Sequence, residues 1–597
     1  MRKRELLFVL VSALFLSILV ACQEDSLSPG GEDEEVDNST EDVATEDTIA
    51  EATAENGGDH DNAADYSWDS SDATQIVLNG NSISVEGSGA SVNGSVVTIT
   101  ASGNYHISGS LADGQVIVDT EDENIVRLIL DGVDISSASS APIYVASAEK
   151  TMIVLADNTE NYVTDSDSYV FEDPEEDEPD AAIFSKDDLT IFGNGALTVN
   201  GNYNEAIKSK DGLIIASGTI MVNSVDDGIQ GKDYLIVKNG NITANVSGDG
   251  FKSNNDEDAT LGYIAIENGN IQITAGGDAI QAETDVLITD GEFTLTSGGG
   301  STNSVSEDSS AKGLKAGVSL VIESGSFSIN SADDAVHSNA GITLHDGTFD
   351  ISSGDDGMHA DASLKIYGGD ILITKSYEGL ESAVITIADG DIHITSSDDG
   401  INVAGGADGS GFGRPGQGGF SSSSNYYLYI NGGYIVVDAD GDGLDANGSI
   451  EMNGGVVLVN GPTANNNGAL DYDGSFEITA GVLVAAGSAG MVQAPGTSST
   501  QYAVLLNFNA SMPGGTLFHI ESSEGEEIIS FAPTKQYQSV VFSSPDLTNG
   551  TTYNVYYGGS ASGAEADGLY QEGNYTPGTS YGSFTVSDIV TRINSSR

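Results

Sequence analysis

Eight acidic residues recur through the middle of the chain in one local context: Asp227, Asp249, Asp278, Asp334, Asp356, Glu378, Asp399 and Asp442. Each is followed by a small, an apolar and a polar residue, as in Asp227-Gly228-Ile229-Gln230 and Asp356-Gly357-Met358-His359. Rows of like charge repel unless cations intervene, and the doubling at Asp226-Asp227, Asp333-Asp334, Asp355-Asp356 and Asp398-Asp399 sharpens the demand. Oxygen ligands in this number suit calcium, which takes six to eight of them. Aspartate before glycine also caps turns by accepting backbone N–H groups, so most of the row is expected to cap turns, with roughly one to three calcium sites among them. Asp438-Ala439-Asp440-Gly441-Asp442-Gly443 matches the start of an EF-hand loop, but Ser449 stands where the bidentate glutamate belongs. That leaves Asp440 and Asp442 as candidate ligands of a different kind of calcium loop.

The polar residue that closes each unit makes a second row: Lys208, Gln230, Lys252, Gln281, Lys315, His337, His359, Glu381, Asn402, Asp445 and Asp471. Such a row of hydrogen-bonding groups suits an extended polysaccharide, and lysine can meet a uronate carboxylate directly. The competing reading is ordinary outward polar alternation along a strand. The only tryptophan is Trp68, so ring stacking on sugar must come from tyrosine, with Tyr426, Tyr427, Tyr429 and Tyr434 the densest group. His337 and His359 lack a third ligand at zinc spacing, and no phosphate-cradling loop, nucleophile elbow or zinc motif occurs.

The elements that hold these rows follow from a repeat. Gly195, Gly218, Gly240, Gly269, Gly291, Gly325, Gly347, Gly369, Gly390, Gly433, Gly455 and Gly481 each separate two short apolar runs, most often 22 residues apart. Longer gaps hold polar or glycine-rich inserts at 253–260, 297–310 and 404–425, which must loop out. Units this short bury a core only by stacking, and brief period-2 strands exclude helical repeats. The expectation is an all-β chain: a right-handed parallel β-helix over residues 74–494, with a β-rich C-terminal cap or small domain over 495–597.

Charge and the N-terminus set the compartment. With 19 Lys and Arg against 91 Asp and Glu the net charge is -72, which argues against nucleic acid as a partner and for divalent cations. Arg2, Lys3 and Arg4 precede an apolar run ending Leu19-Val20-Ala21-Cys22, the pattern of a lipoprotein signal. Residues 1–21 are therefore expected to be a signal peptide, with Cys22 lipidated and the protein exported and anchored to a bacterial membrane or cell surface. From Gln23 to Asp72 there are 18 acidic residues and no Lys or Arg, so residues 22–73 read as a disordered tether.

Together these features resemble the carbohydrate-binding, calcium-containing right-handed β-helix proteins of bacterial cell surfaces, which are similar in fold to pectate lyases. The resemblance rests on Asp226-Asp227-Gly228-Ile229-Gln230-Gly231-Lys232-Asp233, the loop Ala404 to Gly411, Asn460-Gly461-Pro462 with Gly468 to Tyr472, and Val540 to Pro545. It implies binding of carbohydrate such as cellulose or polygalacturonate, and calcium, and it carries over no residue-level ligand motif. Two alternatives remain: a calcium-dependent lyase with Lys252 or Lys315 as base, and a surface adhesin recognising protein.

Overall fold

The computed structural model describes residues 47–56, 60–171, 177–306, 309–405 and 425–594. The signal, Cys22, the acidic stretch as far as residue 46 and most of the insert at 404–425 lie outside these. No described helix is long and apolar enough to cross a membrane.

Short apolar strands between glycine bends assemble by parallel pairing, and two successive repeats show the rule. In the first, β1 (Thr219–Ser224), β2 (Ile229–Gly231) and β3 (Tyr234–Val237) follow one another. The next supplies β4 (Asn241–Val246), β5 (Phe251–Ser253) and β6 (Tyr263–Ile266). β1 pairs in parallel with β4, β2 with β5 and β3 with β6. Each strand therefore neighbours the equivalent strand of the next repeat, and three ladders run side by side. Among the described residues one mixed sheet of 47 strands results, with a second sheet of six.

Burial separates the ladders. In the first, β1 alternates, with Ile220 and Val222 buried and Met221 43% exposed, the signature of one dry and one wet face. In the third, Leu213, Ile214 and Ile215 are all buried, as are Leu320, Val321 and Ile322. A strand buried on both sides reads as an unbroken apolar run. The inner faces build one continuous core, including Phe293, Phe327 and Phe349, whose rings stack at 4.6 and 4.7 Å.

The recurring glycine is required where it bends the chain with positive φ. At Gly269 φ is +143, and a Cβ there would stand 3.1 Å from the Gly240 carbonyl oxygen of the preceding repeat.

Both ends add antiparallel pairing. Residues 74–99 form two antiparallel hairpins, Thr74–Gly80 with Ile83–Glu86 and Ala90–Asn93 with Val96–Ile99, while Thr74–Gly80 and Val96–Ile99 also pair in parallel with the strands that follow them. At the other end Tyr537–Ser543 pairs antiparallel with Val482–Gly487. It carries a second apolar core into the six-stranded antiparallel sheet.

Acidic composition predicts an extended tether as far as residue 73. Residues 47–56 and 60–72 instead lie along the outside of the third ladder. The short helix α1 (Ile49–Glu55), N-capped by Thr48, buries Ala52 against Leu287 and Val321. Asn56 donates to Asp285, His60 stacks on Tyr234 at 4.2 Å, and Tyr66 meets Phe192 edge-on at 4.9 Å. Asp47 pairs with Lys365, Asp61 with Lys238 at 2.5 Å, and Asp65 with Lys150 at 3.1 Å. The Asp65 carbonyl oxygen also accepts from Arg127. The physical reason is the doubly apolar third ladder: its outer side would otherwise be a long exposed hydrophobic strip, and the bases along it attract this acidic segment.

Candidate functional site

The acidic row lies where the chain enters the second ladder, and several of its carboxylates divide their oxygens between two tasks. One oxygen accepts the backbone N–H at the same position of the next repeat: Asp227 from Asp249 at 2.7 Å, Asp249 from Asp278 at 2.8 Å, Asp334 from Asp356 at 3.0 Å, Asp356 from Glu378 at 3.0 Å and Asp399 from Asp442 at 2.6 Å. Turn capping is thus a staple between repeats rather than a local loop closure.

The other oxygen faces a cation over the first part of the row. Lys252 Nζ bridges Asp227 at 2.9 Å and Asp249 at 2.8 Å, Lys315 reaches Asp278 at 3.2 Å, and Lys208 holds Asp180 and Glu205 at 2.6 and 3.0 Å. Lys312, absent from the sequence reading, stands in the acidic row itself. Its buried Nζ meets Asp333 at 3.0 Å and Asp334 at 2.6 Å. The signal was present in Lys312-Gly313-Leu314-Lys315, which fits the repeat once the first position is allowed to be basic.

His337 Nδ1 lies 2.8 Å from Asp334, with Nε2 2.9 Å from the Asn339 side chain. His359 sits among Asp356, Glu381 and Asp361 at 3.0 to 3.3 Å. Burial by itself would lower its pKa, but those three carboxylates raise it and keep the imidazolium charged. Burial likewise works to raise the Asp334 carboxyl, yet Lys312, His337 and His359 hold it below the ordinary range.

The second row is a true ladder. Lys208, Gln230, Lys252, Gln281, Lys315, His337 and His359 are successive register partners, continuing through Glu381, Asn402 and Asp445 to Asp471. Gln230, His337 and His359 are buried, and the three lysines are tied to carboxylates. The row therefore neutralises the acidic ladder beside it, in place of the open lysine stripe expected to meet uronates.

Past His359 the row contains no base, and the carboxylates crowd. Oxygens of Asp399, Asp442 and Asp445 lie within 4.8 Å of one another. Burial first, then neighbouring carboxylates, pushes Glu378 up to about 10, Asp399 to about 8 and Asp445 to about 7. Asn402, the register neighbour of Asp445, leaves a buried side-chain oxygen without a hydrogen-bond partner.

The EF-hand-like stretch separates into two parts. Strands flank it, Asp438 and Asp440 are held by Lys535 at 2.5 and 2.9 Å, and only Asp442 joins the cluster. Asp226, Asp355 and Asp398 are partly exposed companions of buried Asp227, Asp356 and half-buried Asp399. Asp333, Asp334 and Asp355 form another close group, which Lys312 enters. Tyr427 stacks with Tyr429 at 5.2 Å, while Tyr426 packs against the core.

A surface unmarked in the sequence runs along the glycine bends. A shallow groove of about 790 Å³ crosses the repeats from Gly193 to Ser326, lined by Asn194, Thr219, Asn241, Asn270 and Glu292. It continues through Ser324 and Gly325 into a second stretch of about 400 Å³ past Asp346, Asp370 and Asp391. Glycines of successive repeats line it together with hydrogen-bonding residues next to them in sequence. The glycines read as bends; that they also leave an open channel depended on the register of successive repeats.

Comparison with known proteins adds a family. A family model described as carbohydrate-binding domain-containing protein matches residues 93–357 and 357–526. A curated Acetivibrio thermocellus protein of the same description is 48% identical over 136 residues, 23% of this chain and 48% of that protein. The alignment thus spans about half the length of this relative. A solved structure described as the polysaccharide lyase-like protein from C. thermocellum, a gadolinium derivative, shares 38% identity. It covers 42% of this chain and 96% of its own, with a TM-score of 0.38.

Proposed function

The chain belongs to the carbohydrate-binding domain-containing proteins, and from that premise we propose that it binds an extended polysaccharide, cellulose or pectic polygalacturonate, without cleaving it. The reading includes a right-handed parallel β-helix as the scaffold, calcium as its stabilising ion, and export with a lipid anchor at Cys22. The observation that carries it is the polar groove along the glycine bends, which repeats the same hydrogen-bonding wall over many successive repeats. A polymer with regularly spaced hydroxyls meets such a wall many times over, while a compact ligand would use only a fraction of it.

The double substitution Asn241→Ala and Asn270→Ala removes two wall side chains. At about 1 kcal/mol each it should weaken polymer retention roughly tenfold or more. Pull-downs on cellulose and polygalacturonate, with and without chelator, read this directly. If neither polymer retains the wild-type protein, the carbohydrate reading falls and a protein-recognising adhesin takes its place.

Asp399, Asp442 and Asp445 fit calcium best: three hard carboxylates in contact range, a buried amide oxygen nearby, and no base in that part of the row. Nearer the N-terminus, lysine and histidine already supply the positive charge. A ligand bound only by the folded chain adds RT ln(1 + [L]/Kd), about 2.7 kcal/mol at a hundredfold excess. Melting in chelator should therefore fall below melting in millimolar calcium, and an Asp399→Asn, Asp445→Asn variant should lose most of that difference. Equal melting temperatures, with no calcium by elemental analysis, would refute the metal assignment.

The anchor is tested by Cys22→Ser: the variant should leave the membrane fraction and take up no labelled fatty acid. A lyase with Lys252 as its base is disfavoured by the state of that lysine. Although burial opposes it, Asp249 and Asp227 keep Lys252 protonated, whereas a general base at neutral pH must be free of its proton.

A further inference from the structure

The outer side of the third ladder has the makings of a second binding surface, and the chain's own residues 47–56 and 60–72 lie on it. One of its register rows includes Arg127 and Lys365 and passes Met152, Ile214, Leu287 and Val321 between them. Beside that row Tyr234 and Tyr263 stack at 5.9 Å, and Lys238 and Lys150 stand on the same side, paired with Asp61 and Asp65 of the strap. We propose that this face is a platform for a carboxylate-bearing polysaccharide and that residues 47–56 and 60–72 hold it closed. The inference rests on the carbohydrate-binding reading and adds to it a second site, a ligand class and a means of control.

Two observations support it. The first is the chemistry of the strap's contacts. Asp61, Asp65 and Asp47 place acceptor oxygens on Lys238, Lys150, Arg127 and Lys365, while His60 and Tyr66 lay rings against Tyr234 and Phe192. Carboxylates on cations and flat faces on aromatic rings are what a uronate polymer would offer the same residues. Other acidic segments of a chain charged at -72 repel such a polymer, so a face where bases are gathered is the exception.

The second observation is how lightly the strap is attached. Among the described residues its backbone hydrogen bonds close within the strap itself: Asn56 to Ala52, Asp65 to Asn62, Ser67 to Ala64. It joins the body through side chains and through carbonyl oxygens accepting from side chains. The Lys365–Asp47 pair is partly exposed, at 27% and 43%, and so is Lys238 at 31%, so salt screens these more than the Lys150–Asp65 pair at 12% and 17%. His60 carries a buried Nε2 without a hydrogen-bond partner, which works against docking. A segment outside the ladders with such contacts opens far more readily than the strands beneath it.

The test uses the full chain carrying His60→Ala, Asp61→Asn and Asp65→Asn, with polygalacturonate and cellulose as probes at low salt. Affinity for polygalacturonate should rise at least tenfold and affinity for cellulose should stay level. Adding Lys150→Ala and Lys238→Ala should return the first to the wild-type value. In the unaltered protein, polygalacturonate should speed protease cleavage within residues 47–72, a readout independent of whether the variants fold. Equal affinity in the released and wild-type chains, or cleavage indifferent to the polymer, overturns the proposal. If the wild type still binds through the groove, only the strap idea is lost. If no form of the protein binds either polymer, the underlying carbohydrate reading fails with it.

Discussion

Replacing Lys312 by methionine should destabilise the middle of the stack by about 3–5 kcal/mol, the usual cost of removing one partner from a buried ion group. Lys312 is 5% exposed, and its Nζ sits between Asp333 and Asp334, which are 7% and 0% exposed. Without the ammonium, Asp334 keeps only its imidazole neighbours and a backbone N–H to offset burial. The melting midpoint should fall, and amide exchange should quicken in the adjoining repeats before it does at either end, because each repeat leans on its immediate neighbours. Adding Asp333→Asn and Asp334→Asn should restore part of the loss. A Lys312→Met protein that melts like the wild type would show that the pair of acids is not held by this lysine.

The second large effect is expected in the aromatic file of the core. Phe327 lies between Phe293 and Phe349, all three almost completely buried, with ring planes within 5° of parallel. Phe327→Ala removes the middle ring and its contacts on both sides, at a cost of about 3–5 kcal/mol. Phe327→Leu keeps most of the volume and should cost less than half as much. Calorimetry on the two variants separates cavity formation from loss of stacking. Equal destabilisation would mean that ring geometry, rather than filled space, dominates at this position.

The rows were legible because a repeat near 22 residues fixes which positions become neighbours. Asp227, Asp249 and Asp278 could be aligned in the sequence, and they follow one another in the structure. Their division of labour was not legible. Whether Lys252 faces solvent or two carboxylates depends on side-chain direction within the second ladder, and the row's own pattern is compatible with both.

Lys312 escaped because an acid was sought where a base replaces it. The strap escaped because composition dominated: 18 acids without a base suggest a tether. The contrary signal lay hundreds of residues away, in the unbroken apolar runs Leu213-Ile214-Ile215, Leu235-Ile236-Val237 and Leu320-Val321-Ile322. Such runs demand cover on both sides, and nothing in them names the segment that supplies it.

The strap also decides how the protein answers to force. A pull on the chain at Asp47 is applied beside Lys365, far along the ladders from the strand Thr74–Gly80 into which residues 47–72 lead. It therefore peels the strap one contact at a time, first Asp47 from Lys365, then α1, then Asp61 from Lys238, instead of shearing many bonds together. Fully drawn out, those residues reach about 85 Å, at ~3.3 Å per residue, and the slack is that length less the distance they already span. The ladders carry load only after that slack is spent, so the strap acts as a mechanical fuse in series with the stack.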